Sequence, residues 1–156
     1  MPMEIRELRA GDAAILGTAP PGEVFDNDID EFAARDFLAD PRNRMVVAID
    51  DGVVVGMVSA ALHIHPDRGR PELWIDEVGV APGHHRRGIG RRMMLAMLDI
   101  ARRSGCGEAW VLTHRSNAPA MGLYNSIGAN AEQEDAVMFT FHLDAGDMGD
   151  GNEGAG

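Results

Sequence analysis

The chain has 156 residues, 45% apolar and 25% charged, which is enough for one domain with a sizeable core. Its 25 acids against 14 bases give a net charge of −11, which argues against nucleic acid and suits a cationic partner. Every base is arginine and the only cysteine is Cys106, so Schiff-base lysines, the Gly-x-x-x-x-Gly-Lys phosphate loop, a disulfide framework and a multi-cysteine zinc site are all excluded.

Met3–Leu8 alternates apolar and charged residues, which predicts a first strand. Gly11–Pro21 is compatible with a helix, and Ile29–Leu38 carries apolar residues at helical spacing. Met45–Ile49 and Val53 to about Ile64 are two apolar runs separated by Asp50-Asp51-Gly52, a hairpin signal. Leu73–Val80 is a further strand, closed by Ala81-Pro82-Gly83. His84–Arg103 reads as an amphipathic helix, with Ile89, Met93, Ala96, Met97, Ile100 and Ala101 on its apolar face. Glu108–Thr113 predicts a strand, Asn117–Ile127 a short helix and Val137–Leu143 a last strand. Strands in a meander followed by strand–helix–strand crossovers predict an α/β fold, with a mixed sheet of about six to seven strands flanked by helices. Residues 1–143 form a single domain in this reading, and 144–156 are a polar Gly- and acid-rich tail. No apolar run is long enough to cross a membrane, and the opening residues lack a secretory signal, so a cytoplasmic protein is expected.

The charge is uneven: residues 1–83 carry −9, residues 84–115 carry +5 and residues 116–156 carry −7. The positive block holds His84-His85-Arg86-Arg87-Gly88-Ile89-Gly90-Arg91-Arg92, between a predicted strand and a predicted helix. Helix N-termini present unpaired N–H groups and the positive end of a dipole, and glycines let an anion approach them. Four arginines oppose that dipole, and a bound polyanion accounts for them. The pattern therefore predicts a phosphate site. It is not the dinucleotide-binding fingerprint, because position 93 is Met where that spacing needs Gly.

His85-Arg86-Arg87-Gly88-Ile89-Gly90 resembles the acetyl-CoA loop of the GNAT superfamily of N-acetyltransferases, Gln/Arg-x-x-Gly-x-Gly/Ala, with His in the first position. The likeness runs over roughly residues 3–143 and includes Asn117 and the Leu123-Tyr124…Gly128 segment. It implies the GNAT fold and acetyl-CoA as cosubstrate, held by Val78, Gly79, Val80, His85, Arg86, Arg87, Gly88, Ile89, Gly90, Arg91 and Asn117. It implies Glu77 as general base and Tyr124 as the acid that protonates the departing thiolate. Asp76, Glu77 and Asp135 are the expected acceptor contacts. Side chains alternate along a strand, so Asp76 and Glu77 are expected on opposite faces.

Arg70–Val80, Val55-Gly56…His65-Pro66 and Glu134–Met138 further resemble the GNAT-type aminoglycoside 3-N-acetyltransferases, whose polycationic substrates match the acidic composition. Thr113-His114-Arg115-Ser116-Asn117 departs from that family, where acids are expected. Another amine as acceptor, such as a polyamine or a protein N-terminus, and a non-catalytic acetyl-CoA-binding module remain alternatives. The superfamily likeness also implies a homodimer. His63 and His65 share a strand face, but no third ligand is suitably spaced, so no metal is expected.

Overall fold

The computed structural model describes residues 2–131 and 135–144. Five strands, β1 (Glu4–Glu7), β2 (Asn43–Asp50), β3 (Val53–His63), β4 (Glu72–Val80) and β5 (Glu108–Val111), lie side by side in chain order. The first four are antiparallel, whereas β5 runs parallel to β4. A parallel neighbour requires a crossover, and helix α2 (Ile89–Arg103) supplies it. A 3₁₀ helix (Ala13–Thr18) and α1 (Glu31–Ala39) lie between β1 and β2, and α3 (Ala118–Ser126) follows β5.

The hairpin between β2 and β3 forms as its sequence predicts. Asp51 and Gly52 both take positive φ, 49° and 77°, the turn whose twist matches two antiparallel strands. Val46, Val47 and Ala48 are consecutive on β2 and all fully buried. Consecutive strand residues point to opposite faces, so both faces of the sheet are covered there. α2 packs on β2, β3 and β4, while α1 and the 3₁₀ helix pack on β2 and β3. Met93, Met97 and Ile100 of α2 are buried, as are Leu73 and Ile75 of β4, and the charged face of α2 stays exposed. Asp30 caps α1 by accepting the Ala33 N–H at 3.0 Å.

Two expectations are corrected. α2 begins at Ile89 rather than His84, because Arg86 and Gly88 adopt left-handed backbone at φ 60° and 73° that no right-handed helix can pass through. The sheet has five strands among the described residues, not six to seven. Val137–Leu143 is not a strand, and Val137, Met138, Phe139, Phe141 and Leu143 are all exposed, Phe139 and Phe141 at 82%. Alternation makes a segment able to pair, but a strand exists only where a neighbouring edge meets it. Residues 145–156 of the expected tail lie outside the described residues. No described helix is long and apolar enough to cross a membrane.

Truncating the centre of the α2–sheet layer is expected to be costly. Met97→Ala should lower unfolding stability by about 2–5 kcal/mol, read as a lower urea midpoint with an unchanged slope.

Candidate active site

β4 and β5 pair only from Glu72↔Glu108 to Ile75↔Val111. Beyond that point the two strands separate. Residues 76–80 of β4 form one wall of a cleft of about 1000 Å³, and Val111–Thr113 with the first turns of α3 form the other. The separation turns one edge of β4 towards the cleft. Ala81 donates its N–H to the Val55 carbonyl of β3 at 2.8 Å, so the odd-numbered backbone groups here serve the sheet. The Val80 carbonyl faces the other way and accepts a hydrogen bond from His85 Nε2 at 2.8 Å. Val78, two residues back, presents its backbone to the same open side. His85 therefore folds back onto β4, and the Val80 carbonyl is engaged within the protein.

One end of the cleft is the N-terminus of α2. Gly88 precedes the helix in left-handed conformation and supplies no side-chain cap, so the N–H groups of the first turn face the cleft lining formed by Gly88, Ile89, Gly90 and Arg91. A Cβ at Gly90 would sit 3.3 Å from Leu123 of α3 and 3.9 Å from Val80, so this glycine also sets how closely α3 approaches. The arginines divide. Arg86 lines the cleft, and Arg91 also lines it while donating to the Ser126 carbonyl at the end of α3, at 3.2 Å. Arg87 is not part of the lining and reaches to 4.0 Å from Asp50. An oriented set of N–H groups with adjacent guanidinium charge suits a diphosphate, the group that acetyl-CoA would bring.

The other functional wall is acidic. Pairing with β3 shifts by one residue between Ser59↔Glu77 and Ala60↔Ile75, so Asp76 is an extra, bulged residue. The bulge overturns the expectation that Asp76 and Glu77 face apart, since both line the cleft. Ser59 Oγ donates to Asp76 Oδ1 at 2.7 Å and fixes that carboxylate. The Glu77 carboxyl is raised above the usual glutamate value, first by partial removal of water and then by the negative charges of Asp76 and Asp26. Glu77 is not buried as a mid-strand acid would suggest; its surface opens to the cleft.

Glu77 and Asp26 also line a second cavity of about 260 Å³, walled by Phe25, Asp28, Ile29, Phe37 and Met45. This cavity belongs to the segment 20–30, which crosses directly over β4. A Cβ at Gly79 would collide with the Val24 carbonyl oxygen, so Gly79 is what lets the acidic segment lie against the strand. Sequence reasoning missed Glu23, Asp26 and Asp28, although Glu23 to Glu31 holds five acids and no base.

Tyr124 lines the cleft from α3, half-buried, and burial raises its phenol above the ordinary tyrosine value. Asn117 caps α3, accepting the Ala120 N–H at 3.2 Å, and also lines the cleft. Asp135, an expected acceptor contact, is exposed and lines neither cavity. Cys106 is buried away from the cleft, and burial raises its thiol. His63 packs on Trp74, and His65 pairs with Glu72 at 3.2 Å.

Residues 12–129 match the family described as Acetyltransferase (GNAT) family. The chain is 31% identical over 155 residues to streptothricin acetyltransferase of Streptomyces lavendulae, with 80% of each chain covered. It is 35% identical over 92 residues to N-alpha-acetyltransferase RimI of Mycobacterium tuberculosis, a stretch spanning about half (54%) of that protein. An aminoglycoside acetyltransferase from an uncultured soil metagenomic sample, solved in complex with sisomicin, superposes with a TM-score of 0.78 at 19% identity, covering 91% of this chain and 97% of the other. AAC(6')-Iy, solved with a bisubstrate CoA analogue, superposes at 0.72 with 18% identity, covering 91% and 99%. At these identities the two structures establish the fold alone.

The acid cluster makes a titration testable. The Glu77 carboxyl, followed by carbon-13 NMR, should lose its proton above the ordinary glutamate range. Asp26→Asn removes a repelling negative charge, which favours the carboxylate and should move the midpoint down. An unchanged midpoint would separate the acidic segment from Glu77.

Proposed function

Because the chain belongs to the acetyltransferase (GNAT) family, we propose that it moves the acetyl group of acetyl-CoA to an amine of a polycationic small molecule, with the 3-amino group of an aminoglycoside as acceptor. The observation that carries this reading is the position of Glu77. It lies on the wall shared by the large cleft, which ends at the first turn of α2, and the small cavity under residues 25–30, where Asp26, Asp28 and Asp30 stand among apolar side chains. A donor with a diphosphate and an acceptor with ammonium groups would approach the same carboxylate from two sides.

The chemistry follows from what each group can do. The acceptor arrives as an ammonium, which has no lone pair to attack with. Glu77 takes a proton from it, and a carboxyl raised towards neutrality is better matched to that task than an ordinary one. The nitrogen then attacks the thioester carbonyl, whose developing negative oxygen the Val78 N–H would stabilise from the open edge of β4. Collapse of the intermediate breaks the carbon–sulfur bond and Tyr124 supplies a proton to the leaving thiolate, while the nitrogen loses its second proton, which returns through solvent to the Tyr124 phenolate; the one proton left on Glu77 goes to solvent. The products are the acetamide and free CoA. The carboxylates of Asp26, Asp28 and Glu23 hold the remaining ammonium groups of a polycation. No side chain is needed to carry the acetyl group: the chain has no lysine, and its one thiol is buried with a raised pKa.

The RimI likeness favours a second reading, in which the acceptor is a peptide N-terminus. A peptide brings one ammonium where an aminoglycoside brings several, so Glu23, Asp26 and Asp28 would then be underused. The deciding assay measures CoA thiol release with aminoglycosides, streptothricin, polyamines and short peptides. The reading predicts turnover on a polycationic antibiotic and a KM for it that rises with ionic strength. Turnover on peptides alone would overturn it, and no thiol release with any amine would point to a non-catalytic acetyl-CoA-binding module.

On the best amine, Glu77→Gln should lower kcat by about 10²–10⁴-fold with acetyl-CoA binding retained. Tyr124→Phe should cost less, because a thiolate is a tolerable leaving group, and Cys106→Ser should keep most activity. Near-normal turnover by Glu77→Gln would remove the base from the mechanism.

A further inference from the structure

We propose that Asp50 is a positioning residue for the donor site, acting through His84. The inference rests on the reading that the turn before α2 receives the diphosphate of acetyl-CoA. Asp50 is the last residue of β2, distant in sequence from that turn, and neither the glycine-loop pattern nor the family likeness points to it. Its Oδ2 accepts a hydrogen bond from His84 Nε2 at 2.8 Å, with both side chains mostly covered at 28% and 22% exposure. The same oxygen lies 4.0 Å from Arg87 Nη1. One carboxylate on the rigid hairpin therefore faces two of the turn's basic side chains.

The turn needs such a tether. Between the end of β4 and the start of α2 it contains Arg86 and Gly88, both left-handed, and a non-glycine residue there costs free energy that its surroundings must offset. His84 closes the short 3₁₀ turn Pro82–His84 that leads into this stretch, and it also lines the cleft. Holding His84 from the hairpin fixes where the strained stretch begins, and so where the first-turn N–H groups of α2 point. Arg86 and Arg91 are the arginines on the cleft wall. An anion site organised before its ligand arrives binds more tightly than one ordered on binding.

This task falls to the 2.8 Å link with His84 rather than to the 4.0 Å approach of Arg87. An asparagine in place of Asp50 still accepts from His84 Nε2, whereas an alanine does not. The test compares two acetyl donors, acetyl-CoA and S-acetylpantetheine, which lacks the diphosphate and nucleotide. The wild type should show a lower KM for acetyl-CoA. Asp50→Ala should raise the KM for acetyl-CoA about three- to tenfold, the range of one lost hydrogen bond, with kcat and the S-acetylpantetheine KM unchanged. Asp50→Asn should restore the acetyl-CoA KM to within about twofold of wild type. His84→Ala should reproduce the Asp50→Ala effect, and the double variant should be no worse than either single one, since both remove the same link.

The outcomes separate the two readings. A wild type with equal constants for both donors would overturn the diphosphate reading, and the role of Asp50 with it. A wild type that favours acetyl-CoA, with Asp50→Ala leaving that preference intact, would overturn the positioning role alone. A loss of kcat with both donors would mean that Asp50 merely stabilises the hairpin. If Asp50→Ala does not fold, Asp50→Ser, whose hydroxyl is too short to reach His84, carries the same prediction: a raised KM for acetyl-CoA only, or the proposal fails.

Discussion

The structure depends on the place where β4 and β5 stop pairing. Parallel strands joined through α2 are held together over four residue pairs, ending at Ile75↔Val111, and then diverge. A sheet that separates exposes main-chain N–H and C=O groups that would otherwise bond to a neighbour, and a buried pair of such groups must find partners. Here the exposed edge becomes one wall of the cleft, and His85 already occupies one of its carbonyls. The turn that follows β4 delivers the N-terminus of α2 to the same opening. In the proposed reading, donor recognition and the reacting carbonyl are thus both organised from one strand and its exit.

The one-residue bulge at Asp76 is the second constraint. In a regular strand, one of two adjacent acids points away from the site. The bulge brings Asp76 and Glu77 to the same cleft, and segment 20–30, resting on Gly79, adds Asp26 beside them. Partial removal of water raises Glu77 first, and the negative charges of Asp76 and Asp26 beside it add to that rise and suit a cation. In the proposed reading, the charges that would hold the acceptor also add to the basicity of Glu77.

Much of this is legible in the sequence, for identifiable reasons. The apolar face of α2 and the Asp-Gly hairpin are local patterns that local geometry enforces, and both form where their residues predict. The glycine loop is legible because Gly88 and Gly90 interrupt a basic run at a strand–helix junction. The helix start is not, since it depends on Arg86 taking a left-handed conformation that its residue type does not announce. The bulge is a matter of register between two strands, which alternation along one of them cannot reveal. The acidic segment carried a charge signal, but its approach to Glu77 depends on how residues 20–30 pass over Gly79. Val137–Leu143 has the alternation of a strand without a pairing edge among the described residues, and Asp135, which no local pattern places, lies outside both cavities.

The central claim is that one carboxylate stands between a donor bound at α2 and a cation bound under the acidic segment. Its most direct test is the structure of the ternary complex with CoA and a polycationic aminoglycoside. The account predicts the diphosphate on the backbone N–H groups of Gly88–Gly90, with one amine nitrogen within hydrogen-bond reach of Glu77 and the other ammonium groups facing Asp26 and Asp28. An aminoglycoside bound elsewhere, with Glu77 touching no amine, would contradict it.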